Sequence, residues 1–299
     1  PTWFVAITYS FIFGAMFGDV GQGLVLFLGG LFLYKTKKMD LAGIISCAGV
    51  FSVFFGFMYG SFFGFEDVLK AIWLKPMNQM MDVPLVGRLN AVFVIAIGFG
   101  MFIILICMVF NIINSIRRGD TEKTWFDSNA VAGLVFYGSI VLTIGLFISG
   151  KKLPAAAILV IMFGVPLLLM FLKEPLTNLV EKKSEILPEQ KGMFFVQSFF
   201  ELFEVLLSYL SNTLSFLRIG AFAVSHAAMM EVVLMLAGAT NGGNPNWIVV
   251  VLGNIFVCAM EGLIVGIQVL RLEYYEIFSR FYAGNGREFK PFMKAAHKN

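Results

Sequence analysis

Charge is what this chain has least of. Of its 299 residues, 14% are Asp, Glu, Lys or Arg, where a soluble domain carries about 25%. Hydrophobic residues make up 59%, which leaves too little polar surface to cover a water-soluble fold. The net charge of +3 is small and nowhere gathered into a basic face, so nucleic acid is excluded as a partner. Histidine is nearly missing. His226 and His297 are the only two, and the second stands near the terminus, so a histidine-built metal centre is excluded. No cofactor motif is present. Cys47, Cys107 and Cys258 each lie inside an apolar run and read as small buried residues rather than a disulfide framework. No charged segment precedes the first apolar run, so a cleavable signal peptide is not expected. The chain begins at Pro1 without an initiator Met. The expectation is a piece of a longer polypeptide, a membrane domain whose soluble N-terminal arm is absent.

What is present is one apolar block after another. A spanning helix needs about 20 mainly apolar residues. The first block, 3–34, is too long for one span and is broken by Gly18-Asp19-Val20-Gly21-Gln22-Gly23. It reads as a helical hairpin over residues 1–38. Blocks 41–63, 91–116, 129–148 and 153–172 supply four further spans across 41–172. A charged stretch at 173–192 reads as a cytoplasmic connection. Two longer blocks, 194–238 and 247–282, end in a cytoplasmic tail at 283–299. The expected fold class is an all-α integral membrane domain of about eight transmembrane helices, the last two long and strongly tilted. Basic residues cluster at Lys35, Lys37 and Lys38, at Arg117, Arg118 and Lys123, at Lys173, Lys182, Lys183 and Lys191, and in the tail from Arg280 to Lys298. The positive-inside rule makes these four places, and both termini, cytoplasmic. Lys151 and Lys152 fall on the other side. Glycines four apart at Gly14/Gly18, Gly56/Gly60/Gly64 and Gly262/Gly266 read as packing seams. No internal repeat is visible, which disfavours an inverted-repeat transporter.

The two longest blocks carry polar stripes. At roughly 100° per residue, Glu204, Ser208, Ser211, Ser215, Arg218 and Ser225 fall within roughly 100° of arc. His226 is one step away. Asn254, Glu261, Gln268, Arg271 and Tyr275 make a second stripe of similar width. Arg218 lies mid-block, too far from either end to snorkel. An arginine at the bilayer centre costs at least ~2.5–3.5 kcal/mol and keeps its proton. Such a charge either forms a static ion pair with Glu261 or Glu231, or lines an ion path with Glu261 as a titrating carrier.

Three segments carry a resemblance: 211–226, with histidine eight positions after Arg218; 261–276, with Arg271 ten after Glu261, continuing through Ser279-Arg280-Phe281-Tyr282 to Phe289-Lys290-Pro291-Phe292; and Met-Phe-Gly-Asp-Val-Gly-Gln-Gly at 16–23. Together they resemble the membrane domain of subunit a (subunit I) of rotary V/A-type ATPases. Gln22 departs from the histidine or aromatic residue expected there. The resemblance implies a non-catalytic stator that faces a proteolipid c ring and offers two ion half-channels. It also implies attachment to the peripheral stalk and soluble ATPase sector through the absent N-terminal arm. Arg218 would meet the ring carboxylate, with Arg271, Glu261, Gln268 and His226 tuning or lining the path. Glu204, Ser208, Ser211, Ser215, Ser225, Glu231, Asn254, Tyr275 and Asp19 are weaker lining candidates. Short loops and a composition of 34 Phe and 16 Met suit a prokaryotic plasma membrane. The competing readings are a secondary ion-coupled transporter with an anion at Arg218, and a structural membrane scaffold.

Overall fold

The computed structural model describes residues 2–65, 68–77, 79–83, 87–152, 154–180, 191–239, 245–282 and 284. Residues 181–190 of the expected connection and nearly all of the expected tail lie outside the described residues, as do His297 and the 289–292 motif.

The expected hairpin is formed by α1 (Thr2–Met16) and α2 (Val20–Lys37). Its bend falls at Phe17–Asp19, where Asp19 caps α2 by accepting from the Gln22 N–H at 2.9 Å. α3 (Asp40–Tyr59) returns antiparallel to α2 at backbone contact. A Cβ on Gly49 would lie 2.5 Å from the Phe27 nitrogen, one on Gly56 2.3 Å from the Val20 nitrogen, and one on Gly14 2.5 Å from the Phe51 carbonyl carbon. Close helix approach therefore explains Gly14 and Gly56. Gly64 has a different cause: its φ of +82° is a left-handed conformation, cheap only for glycine. The expected Gly262 seam is not used, since a Cβ there would meet nothing within 4 Å.

Past α3 the chain runs irregularly through 61–65 and 68–77. It then forms an antiparallel ribbon of β1 (Met80–Val83) and β2 (Gly87–Asn90), with Met80 opposite Asn90. The Asn90 side chain caps α4 (Ala91–Arg118) by accepting from the Val92 N–H at 3.0 Å, and Gly119 at φ +71° closes it. α5 (Thr121–Trp125), α6 (Val131–Ile148), α7 (Ala156–Phe171) and α8 (Lys173–Val180) follow. α9 (Lys191–Ser215) and α10 (Leu217–Leu236) meet at Phe216, whose backbone stays helical at φ −72°, ψ −15°. They act as one 45-residue rod, Gly192–Leu236, roughly 68 Å long. α11 (Trp247–Leu272) runs through a π-helical turn, Glu273–Phe278, into a last turn at Ser279–Phe281.

Among the described residues, five helices are long and apolar enough to cross a bilayer: Asp40–Tyr59, Ala91–Arg118, Val131–Ile148, Gly192–Leu236 and Trp247–Phe281. The pair α7 and α8, bent by 73°, is a sixth if taken as one span. The expectation of eight came from counting apolar blocks. The difference lies in the first hairpin: α1 has 15 residues, roughly 22 Å, short of a ~30 Å hydrocarbon core. α2 ends in Tyr34-Lys35-Thr36-Lys37, which lowers its mean hydropathy.

α4 is the central post, packed against α6, α9 and α10, while α1 packs on α10 and α11. Phe216, fully buried at the α9–α10 joint, fills the notch left by Gly100 of α4, where a Cβ would lie 2.3 Å from the ring. A 2.7 Å hydrogen bond between the Tyr137 and Thr213 hydroxyls ties α6 to α9. These contacts fix the rotation of the α9–α10 rod, and with it the direction of Arg218.

Candidate functional site

The polar groups collect at three levels along the two long helices. At the level where α4 ends and α8 begins, an open cavity of about 390 Å³ is walled by Asp127, Lys173, Glu201, Glu204, Ser208, Tyr209, Asn212 and Arg280, among others. Lys173 pairs with Glu201 at 2.9 Å, and Asn212 donates to the Ser208 hydroxyl at 3.2 Å. Glu204 and Ser208 are exposed. Arg280 is buried, donates from Nη1 to the Asn129 side chain at 2.9 Å, and lies 5.9 Å from the Tyr209 ring centre. Three carboxylates against two cations make this a cavity that attracts cations.

At the middle level stands Arg218. Its Nη2 donates to the Ser215 hydroxyl at 3.2 Å, and that hydroxyl in turn donates to Glu276 Oε1. Nη1 is buried with no hydrogen-bond partner among the described residues. The guanidinium is half-buried and Arg271 nearby is exposed. A shared hydroxyl holds the arginine loosely: one charged donor is satisfied inside the chain and one is left over. Leaving such a group unmade inside a protein costs more than an ordinary hydrogen bond gains.

At the third level, towards the α10–α11 connection, His226 Nδ1 and Glu261 Oε2 are 2.6 Å apart, with side chains 4% and 2% exposed. The Phe17 ring covers the imidazole at 4.7 Å between centres. His226 Nε2 and Glu261 Oε1 have no partner among the described residues. Each group of the pair thus has one polar atom taken up by the other and one left over, in a pocket closed to solvent. Beside it, Gln22 donates to the Asn254 side chain at 2.8 Å and contacts Met230 Sδ at 3.2 Å, linking α2 to both long helices.

The expected residues thus separate. His226 and Glu261 come together, so Glu261 is paired with a histidine and not with either arginine. Ser215 joins Arg218, and Asn254 joins Gln22. Glu204 and Ser208 line the large cavity. Ser211 and Ser225 stand exposed on the rod, as does Glu231, and Gln268 is partly buried. Asp19 is fully buried and taken up by donors within the chain, from Gln22, Ser61, Phe63 and Gly64; it caps and clamps.

Glu276, Glu273 and Arg280 carry no place on the α-helical stripes, yet all three are buried. Glu276 stands four residues after the buried Leu272 and so continues the inner face of α11, where the chain takes the π-helical turn Glu273–Phe278. A π turn takes in an extra residue and rotates everything after it relative to a 3.6-residue count. Tyr275, on the stripe by that count, is 68% exposed, while Glu276 turns in to Ser215 and Arg218. The one sequence sign of Glu276 was a charge in an aromatic run. Both oxygens of Glu273 are buried without a hydrogen-bond partner among the described residues. Among those residues, no three His, Cys, Asp or Glu side chains gather to hold a metal ion.

Residues 173–294 match the V-type ATPase 116kDa subunit family. That stretch holds both long helices and most of the groups above. The chain is 28% identical to the A-type ATP synthase subunit I of Aeropyrum pernix, covering 97% of this chain and 47% of that protein. It is 27% identical to the A-type ATP synthase subunit I of Pyrococcus horikoshii, covering 98% of this chain and 43% of that protein. The V-type ATP synthase subunit I 2 of Treponema pallidum is 28% identical over 46% of this chain and 35% of its own length. The chain spans about half the length, or less, of these relatives.

Proposed function

Since the chain belongs to the V-type ATPase 116kDa subunit family, we propose that it is the non-catalytic stator portion of a rotary ATPase, conducting H⁺ or Na⁺ past a partner ring in step with ATP hydrolysis or synthesis. It is a multi-pass membrane protein. The observation that carries the reading is the order of the three levels. Arg218 lies between an open, carboxylate-rich cavity and a buried His226–Glu261 pair, on a rod whose neighbouring surface is exposed and apolar at Phe203, Leu210 and Leu214.

Each level has its own part in this reading. The cavity gathers cations from the side that the basic residues mark as cytoplasmic. The His226–Glu261 pair accepts and returns a proton on the other side. A carboxylate on a passing proteolipid helix meets Arg218, whose spare Nη1 provides the attraction that displaces its ion. Because Ser215 and Glu276 already hold part of the guanidinium, that attraction stays reversible, as repeated capture and release require. Gln268 and Arg271 continue the path on α11. The peripheral stalk and soluble sector would be its further partners in the assembled complex. The first hairpin, α1 with α2, would cross the membrane or dip into it beside the rods, with Lys35, Lys37 and Lys38 at the cytoplasmic face.

A scaffold reading draws on one observation, the in-chain contact from Arg218 through Ser215 to Glu276. The two separate in an assembled complex reconstituted in vesicles. In the stator reading Arg218→Ala abolishes ATP-driven ion uptake while assembly persists. Uptake at the native rate would refute that reading, and loss of assembly alone would favour the scaffold.

A further inference from the structure

A second cavity, of about 120 Å³, lies where α1, α3, α4 and α10 meet, and the ion path described above does not use it. Three phenylalanines wall it. The Phe11 ring meets Phe55 edge-on at 5.0 Å between centres and stacks on Phe99 at 5.1 Å. Ala15 of α1 and Ala96 of α4 are both buried in its lining, and their short side chains leave the space open. Ile219 of α10 closes the far end. The lining side chains offer almost nothing polar. The Tyr59 hydroxyl is already used, donating to the Ala15 carbonyl at 3.0 Å, which leaves the Trp73 indole at the rim. A water needs two or more polar partners, and an apolar cavity of ~150 Å³ stays dry and takes up hydrocarbon instead.

The roof is the stretch 69–74, pinned across the end of α3. The Trp73 N–H donates to the Met58 carbonyl at 3.0 Å, and a Cβ on Gly60 would lie 2.6 Å from the Ala71 nitrogen. Leu74 is buried beneath it, while Lys70, Ile72 and Trp73 stand exposed. The side is open between α3 and α4. Ile95 and Phe99 are only partly buried there, and Gly98 beside them faces open space. Phe54 and Phe102 continue this face as exposed apolar surface. The cavity is therefore continuous with the apolar surface of two helices long enough to cross a bilayer. The medium at that surface is acyl chain. An empty apolar void costs stability in proportion to its volume, and a hydrocarbon tail entering from that medium removes the cost. The rim carries an indole and an ammonium, the side chains suited to the level where acyl chains give way to headgroups.

We propose that this cavity seats one acyl chain of a membrane phospholipid, which enters between α3 and α4 with its phosphate beside Lys70 and Trp73. The lipid comes from the leaflet opposite the cytoplasm, because α3 starts next to Lys35, Lys37 and Lys38 and ends at the roof. The seated chain packs on Ile219, the residue after Arg218, and so braces α10 against α4 and the first hairpin. The inference rests on the membrane location alone and holds whether or not the domain is a stator.

The test uses the assembled complex in phosphatidylcholine vesicles. The probe is a phosphatidylcholine with a photoreactive diazirine at the end of one acyl chain, and peptide mass spectrometry locates the label after irradiation. The expected result is label on buried Ile219 and Phe11, suppressed by excess unlabelled lipid, beside unsuppressed label on exposed Phe102. Ala96→Leu fills the cavity, lowers label at Ile219 by about tenfold or more because a close-packed space admits no chain, and leaves Phe102 unchanged. Ala15→Val fills it from α1 and serves if Ala96→Leu does not assemble. Lys70→Gln weakens labelling of Ile219 at limiting probe without closing the cavity. Label confined to exposed residues would overturn the proposal, and a segment of another subunit occupying the cavity would give that result. Label at Ile219 that neither filling variant reduces would overturn it as well. Undiminished label in Lys70→Gln would refute the headgroup placement. Ion uptake is not the readout, so none of these outcomes depends on the stator reading.

Discussion

Arg218 has a counter-charge inside its own chain, yet does not touch it. The Ser215 hydroxyl stands between the guanidinium and Glu276, so the pair is weaker than a direct bidentate one and leaves Nη1 to seek another acceptor. In the proposed stator, removing Glu276 would therefore change how tightly a passing carboxylate is held, and would not remove the arginine. Glu276→Gln is expected to slow ATP-driven uptake by about tenfold, equivalent to ~1.4 kcal/mol on the rate-limiting release, with assembly unchanged; initial uptake rates in vesicles check this. The His226–Glu261 pair gives a prediction of the opposite kind. His226→Phe leaves a buried carboxylate alone and is expected to destabilise the domain by ~3 kcal/mol, while adding Glu261→Leu restores part of the loss. Thermal unfolding of the complex in detergent, run on both single variants and the double, measures the coupling. A sequence count finds His226, Glu261 and Arg218 because each is a rare polar group in an apolar run. It misses Glu276 because that residue lies on the buried face of α11 just outside the polar arc, in a run of aromatic residues.

At the scale of elements, backbone proximity sets the geometry. The α9–α10 rod points Arg218 where it does because Phe216 sits in the notch at Gly100. Gly100→Val would drive a side chain into that ring and is expected to cost ~1–3 kcal/mol by overpacking. Gly262→Ala meets open space in the chain and is expected to be neutral or stabilising by up to ~1 kcal/mol, the helix-propensity gain alone. Denaturation midpoints of the two variants should therefore move apart. The same contrast marks what was legible. Four-residue glycine spacing reads alike at Gly14/Gly18 and Gly262/Gly266, and only neighbours in space tell a seam from an open face. Apolar length announced both long helices within a few residues, since 45 and 35 apolar residues admit few other structures. The short first hairpin was harder, because its helices are held by glycine contacts with α3 rather than by length.

Across the whole molecule, polar groups follow one line from the cavity at Glu204 and Arg280, past Arg218, to His226 and Glu261, while the surrounding rods are clothed in exposed Phe, Leu and Ile. A line of polar groups through an oily shell would leak unless something interrupts it. In the proposed stator the permanent cation at Arg218 would do so, because a cation crossing between the two ends must pass a charge that cannot be neutralised. The most direct measurement is passive conduction. Vesicles holding the assembled complex are given an ion gradient without ATP, and its decay is followed for the native protein and for Arg218→Ala. The expected result is that the native complex holds the gradient and Arg218→Ala dissipates it at least about tenfold faster, a barrier lowered by ~1.4 kcal/mol or more, with assembly intact. Equal decay rates, together with undiminished ATP-driven uptake, would contradict the role assigned to Arg218.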